Sequence, residues 1–491
     1  MAGIGVRLNR IFNKNTISTN IFGFGYSMVI TIAPMLVVIG AVILMDLLLG
    51  ASELGYATRE LYSCTVLYIF IFALLTASPF NAVLSKYLSD IIYEETYDDI
   101  LPCYFVGLIV NMLFSCIVGI PFCVWEYIIG KVPLHFVFLG YCGYVSLVLV
   151  FYSMLYLSIC KDYKKISVFF LIGMTFTVIL SLILVYLFRV SITVSMLLSL
   201  DAGFLLIACL EWAQVKSYFR KNSGRYKAVF SYFKKYWQLV LTNFLYILGL
   251  YIHNFVFWST DMHMVVVDSF VCMPTYDMAT CLAMFTNISA SVIFISRVEM
   301  HFHERYKAYS EAVIGGRGMD IENTKRRMFR QLAEELMNLV RLQFIVSVVI
   351  FFLGIIFLPR FGFGGLVMQM YPCLAAGYFI LFLMYSAIIF QYYYNDLGGA
   401  VLTSLSFCIV TMVASMWATT LTPVWYGIGL VIGSLVGFMV AYYRLRVMEK
   451  TLDVHIFCNG SIMERGHGRK PSNRVYDRYS LLKRKSGKVN E

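Results

Sequence analysis

The sequence predicts an all-α polytopic membrane protein of about twelve transmembrane helices in two six-helix bundles. Three observations carry that prediction. The 491 residues are 60% hydrophobic and 14% charged, against about 45–50% apolar and about 25% charged in an ordinary soluble domain. The apolar residues fall in runs near the roughly 20 residues that a helix needs to cross a bilayer. A basic stretch then divides those runs six and six. Lipid offers a backbone no hydrogen-bond partners, so runs of this kind are helical, whereas barrel strands alternate and are about 10 residues long.

In chain order the spans are Tyr26–Leu49, Leu61–Ser85, Leu101–Trp125, Leu134–Ile159, Val168–Phe188 and Thr193–Ala213, then Trp237–Trp258, Asp277–Ser296, Leu339–Leu358, Gly365–Tyr392, Gly398–Thr419 and Pro423–Tyr443. The fifth and sixth are nearly fused around Arg189. The halves are 26–213 and 237–443, and residues 1–25 precede them. "MAGIGVRLNRIFNKNT" is polar and basic and reads as no cleavable signal. Ile4, Leu8, Ile11 and Phe12 form one helical stripe, with Arg7, Arg10 and Lys14 off it, as in a short interfacial helix. All of the 39 Lys and Arg except Arg59, Lys131, Arg189 and Arg360 fall on the side of the termini. The positive-inside rule makes that side cytoplasmic, and the net charge of +11 follows from this bias and from the tail. The 12 cysteines lie mostly inside spans without a C-x-x-C pair, which argues against a disulfide framework or a zinc site.

The dividing stretch, "QVKSYFRKNSGRYKAVFSYFKKY" (214–236), is basic with interleaved aromatics and suits a linker on the anionic inner leaflet. A charged cytoplasmic insert covers 297–338. Its "IGGRG" marks a turn between helices, because no G-K-[ST] and no preceding strand make it a phosphate loop. The basic tail, 444–491, has too little apolar content for a core. The halves share a weak repeat: span two exits through "VLSKYLSDIIYEETYDDI" and span eight through "FISRVEMHFHERYKAYSE". Laying Arg297 on Lys86 also lays Trp237 on Tyr26. Repeated halves are a transporter signature, with the pathway at their interface.

The span-eight exit packs Glu299, His301, His303 and Glu304 together. Glu299 and His303 share a helix face while His301 points elsewhere, and the H-E-x-x-H of a zincin is absent. It reads as a solvated helix end, with no metal and no cofactor expected.

"MAGIG", the span-two exit "KYLSD", "YDMATCLAMFTNISA" and "RVEMHFHERYKAY" followed by "IGG" resemble the PelG exopolysaccharide exporters. These form part of the polysaccharide-transporter branch of the multidrug/oligosaccharidyl-lipid/polysaccharide (MOP, MATE-like) superfamily. The likeness covers residues 1 to about 450. It implies two six-helix bundles around a central cavity in the bacterial inner membrane and an N-acetylhexosamine-rich polymer exported for biofilm matrix. It also implies partners: a PelF-like glycosyltransferase and PelD- and PelE-like membrane scaffold proteins.

Ionisable and amide groups at membrane depth mark pathways or glue helices together. Asp201 is the deepest carboxylate. His253 and Asn254 lie on span seven, which the resemblance puts at the cavity. Asn81, Asn243 and Asn287 offer neutral donors and acceptors for sugar hydroxyls and acetamido groups. These six are the expected substrate pathway. Lys86 and Arg297 are expected at the cytoplasmic mouth, with Asp90, Glu94, Glu299 and Glu304 beyond them as a dock for the synthase; Glu94 and Asp98 extend Asp90 at i+4 spacing, so one face of that helix is expected to be acidic. Competing readings are a MATE-like drug/cation antiporter, a lipid-linked oligosaccharide flippase, or a membrane enzyme. The last has no nucleophile motif to support it, so the chain is expected not to be an enzyme.

Overall fold

The computed structural model describes residues 17–50, 55–94, 96–160, 162–266, 268, 270–288, 299–361 and 364–459. Fourteen helices are present among them: α1 (Ile17–Leu49), α2 (Tyr56–Tyr93), α3 (Ile100–Ile128), α4 (Leu134–Ile159), α5 (Tyr163–Leu182), α6 (Ile192–Tyr218), α7 (Tyr226–Lys235), α8 (Trp237–Trp258), α9 (Pro274–Asn287), α10 (Glu299–Gly315), α11 (Gly318–Phe357), α12 (Leu366–Tyr393), α13 (Leu397–Ala418) and α14 (Ile428–Asn459). A short antiparallel hairpin, β1 (Met264–Val266) with β2 (Phe270–Cys272), lies between α8 and α9. Among the described residues each predicted span falls on a helix, and span eight is described only to residue 288. Ten of the described helices are long and apolar enough to cross a membrane.

The chain divides into two units, Met1–Tyr442 and Tyr443–Glu491. The first holds two apolar cores. One is built from residues of α1 to α7, Val38 through Val229. The other is built from α8, the hairpin, α9, α12, α13 and the start of α14, together with Cys64, Tyr68 and Ile71 of α2. Along α3, Ile109, Leu113, Ile117, Ile120 and Val124 are all exposed at helical spacing. An apolar stripe turned outward is the face a helix presents to lipid.

Small residues set the close crossings. A Cβ on Gly203 would lie 1.8 Å from Thr177 Oγ1 and 3.1 Å from the Gly173 carbonyl. A Cβ on Gly173 would meet Ile207 Cγ1 at 2.3 Å. Glycines at such contacts let two membrane helices approach through their backbones.

The structure also changes details of the sequence reading. The insert does not end before span nine: α11 runs 40 residues without a break and joins both. The "IGGRG" turn is real, and the Arg317 amide donates to Asp320 Oδ2 at 3.1 Å as α11 starts. The linker is partly docked, with α7 burying Val229 to 1% exposure while Phe230 stays exposed. The acidic row expected from Asp90 through Glu94 to Asp98 is broken. Helix α2 stops at Tyr93, Thr96 leaves helical dihedrals (φ −92°, ψ 59°), and Asp98 sits in a separate turn, Tyr97–Asp99. The interfacial helix before residue 17, Arg297 and the tail after 459 lie outside the described residues.

Gly203→Val should therefore cost about 2 kcal/mol or more through overpacking. Gly40→Ala, where a Cβ meets nothing within 4 Å, should stay within about 0.5 kcal/mol. Thermal unfolding of the detergent-solubilised protein compares them. Equal melting temperatures for the two variants would contradict the crossing described.

Candidate functional site

A cavity of about 570 Å³ lies between the halves, walled by α1, α2, α4 and α5 on one side and α8 and α12 on the other. Its wall uses Ser78 to Ser89 of α2, Met154 to Ile159 of α4, Tyr236 to Asn243 at the start of α8, and Tyr385 to Leu397 at the end of α12. All of these are the linker-side ends of their helices. The polar groups on the wall are hydroxyls, amides and one amine: Ser78, Ser85, Ser89 and Ser158, Asn81, Asn243 and Asn395, five tyrosines, and Lys86. No carboxylate is among the described residues that line it.

Local sequence explains this surface. Pro79 interrupts the α2 ladder because proline cannot donate to the carbonyl four residues back. Two residues on, the Asn81 amide donates across to the Phe151 carbonyl of α4 at 3.3 Å. Its side-chain oxygen has no partner among the described residues. Asn243 donates to the Leu239 carbonyl and to the Tyr392 hydroxyl, both at 3.0 Å. Asn81 and Asn243 thus line one cavity from opposite halves.

The other four pathway candidates lie elsewhere. His253 is fully buried, with Nδ1 2.9 Å from the Tyr276 hydroxyl. Asn254 donates to Asp277 Oδ1 at 2.7 Å, and Trp258 Nε1 donates to both Asp277 oxygens at 3.0 Å. This knot binds α8 to the start of α9, at the opposite end from the cavity. Asn287 is likewise glue. It donates to the Ala375 carbonyl at 2.9 Å and accepts from Ser347 at 2.7 Å. Asp201 is buried in the first half against Gly143, where a Cβ would lie 2.2 Å from its Oδ1.

At the mouth, Lys86 Nζ pairs with Asp90 Oδ1 at 3.0 Å, and Tyr232 of the linker donates to Asp90 Oδ2 at 3.2 Å. Burial, with Asp90 beside it, holds the Tyr232 phenol above its usual range. Burial also raises the Tyr306 phenol of α10, and the Lys86 ammonium opposes that rise. Lys86 lines the cavity between the halves. Asp99 is held by Arg225 at 3.3 Å and by the Ser223 hydroxyl. Asp90 is engaged by Lys86 and Tyr232, whereas Glu94 and Glu304 are exposed. The side chain of Glu299 lies outside the described residues, as Arg297 does.

The sequence reading missed the wall groups Ser158, Tyr385 and Tyr392, and it missed the hairpin. A tyrosine inside an apolar span leaves no periodic signal. The hairpin did leave one: "MVVVDSFVC" sets β-branched residues about an Asp-Ser turn.

The fold resembles solved transporters. A multidrug resistance MATE family transporter of the MOP superfamily in an outward-facing conformation matches with 14% identity over 87% of this chain and 96% of that one, TM-score 0.59. The inward-facing form matches with 13% identity over 87% and 99%, TM-score 0.59. The MATE transporter ClbM in complex with Rb+ matches with 13% identity over 88% and 95%, TM-score 0.56. No curated protein matches the chain by sequence. The family model for PelG, exopolysaccharide exporter (EPS-E), matches residues 1–457. Its match covers both halves and the cavity between them, and the chain belongs to the PelG family of membrane transporters.

Proposed function

We propose that the protein moves a growing exopolysaccharide across the bacterial cytoplasmic membrane through the cavity between its halves. The polymer on this reading is Pel-like, rich in N-acetylhexosamine and destined for biofilm matrix. One observation carries the reading: among the described residues the wall offers hydroxyls, amides, tyrosine rings and one amine, and no carboxylate. Neutral donors and acceptors suit sugar hydroxyls and acetamido groups, and ring faces suit apolar sugar faces. A cation antiporter needs an acidic group on its path, and a lipid-linked flippase needs a place for the lipid phosphates. Lys86 is a candidate for the latter, but Asp90 already neutralises it.

Replacing Asn81 and Asn243 together by Ala is expected to lower secreted polymer at least severalfold at unchanged protein level in the membrane. Each lost hydrogen bond to an uncharged partner is worth about 1 kcal/mol. Normal secretion from the double variant would remove the cavity from the path.

Both termini and the linker are proposed to face the cytoplasm, from the distribution of Lys and Arg. That side would meet a PelF-like glycosyltransferase and PelD- and PelE-like scaffolds, with Glu94 and Glu304 as the acidic groups left free to face a basic surface. A cysteine at Asp268 should label with an impermeant maleimide in intact cells, and one at Glu94 only after permeabilisation. The reverse pattern would overturn the orientation and the dock together.

A further inference from the structure

Opposite the cavity, one stripe of α2 holds the hairpin of the other half. Tyr56, Cys64 and Tyr68 fall on one helix face. The Tyr56 hydroxyl donates to Met264 Sδ at 3.0 Å. Cys64 Sγ lies 3.0 Å from Cys272 Sγ. The Tyr68 hydroxyl donates to the Val271 carbonyl at 2.8 Å and accepts from its amide at 3.2 Å. The Tyr68 ring stacks on Trp258 at 5.2 Å and meets Phe270 edge-on at 5.0 Å. Cys64 and Cys272 are each 2% exposed. Strands of three residues make a marginal hairpin by themselves, so this contact with α2 fixes its place.

We propose that the hairpin is the movable outer closure of the path, and that Cys64 and Cys272 are a thiol pair whose oxidation to a disulfide locks it shut. The proposal rests on the path and orientation argued above, which put the hairpin on the oxidising side of the membrane, where disulfides persist. The bond forms at about 2.05 Å, so the sulfurs need to approach by about 1 Å. Both are sealed from reagents while the hairpin is seated. When it lifts, the Cys272 thiolate attacks a disulfide-bearing oxidant at the outer face. One thiol leaves, and Cys272 carries the mixed disulfide. On closure the Cys64 thiolate displaces the second thiol. The oxidant's disulfide is reduced to two thiols, which take up the two protons, and one sulfur–sulfur bond joins α2 to β2. The cross-link spans the two halves, so α2 and the hairpin can then no longer separate.

The test treats the full-length protein in cells with oxidised glutathione as an impermeant disulfide. Mass spectrometry quantifies the linked Cys64–Cys272 peptides, hydrogen exchange follows the Val266 and Val271 amides, and secreted polymer is measured in parallel. The expected result is a linked pair, exchange slowed by about tenfold or more, and secretion lost until a reductant is added. Cys64→Ser and Cys272→Ser, each measured singly, should be insensitive in both exchange and secretion. The proposal is overturned if conditions that oxidise other thiols leave this pair reduced, or if linking leaves hairpin exchange unchanged. A linked pair with slowed exchange and undiminished secretion supports the latch and overturns the polymer path instead.

Discussion

A bilayer offers a polar side chain nothing to bond to, and this constraint bears on every polar residue in the spans. Many are satisfied by protein and some stand against open space, while both oxygens of the buried Asp201 and Glu211 have no partner among the described residues. Asp277 shows the first solution. It accepts from Asn254, from Trp258 and from the Met273 amide at 3.2 Å, and it sits in the first turn of α9, where the helix dipole favours an anion. Asn287, Gln343 and Ser347 show it again, with Gln343 Nε2 2.6 Å from Ser347 Oγ. Asn81 and Asn243 follow the second solution and stand at the cavity.

The two ends of the interface differ in chemistry. On the hairpin side, α2 contributes Cys64, Tyr68 and Ile71 to the core of the other half, and the contact is aromatic and close-packed. On the linker side the same helix presents Asn81, Ser85, Lys86 and Ser89 to open space. One helix is thus apolar where the halves meet and polar where they part. The linker is tied to that end: α7 reaches Asp90, and the segment before it reaches Asp99.

The architecture was legible because its signal is composition and length. Among the described residues every predicted span landed on a helix, and the break between α10 and α11 fell at the predicted glycines. The site was only partly legible. From sequence alone, His253, Asn254, Asn287, Asn81 and Asn243 are equivalent amides and imidazoles in apolar helices. Which ones face water depends on helix rotation and on partners far along the chain, such as Tyr276 for His253 and Ala375 for Asn287. No periodic pattern carries that information. The acidic row is broken for a local reason, because α2 ends at Tyr93 and Asp98 sits in a separate turn. The hairpin was missed because an all-helical frame suppressed a readable strand signal.

The central claim is that polymer passes between the halves, beside the amides and tyrosines of the cavity. Photo-crosslinking in secreting cells tests it most directly. A photoreactive residue is placed in turn at Ser158, at Tyr385, and at Ile409, which is 48% exposed on the outer surface of α13. The account requires polymer adducts at Ser158 and Tyr385 and none at Ile409. Adducts absent from both cavity positions while secretion continues would contradict it.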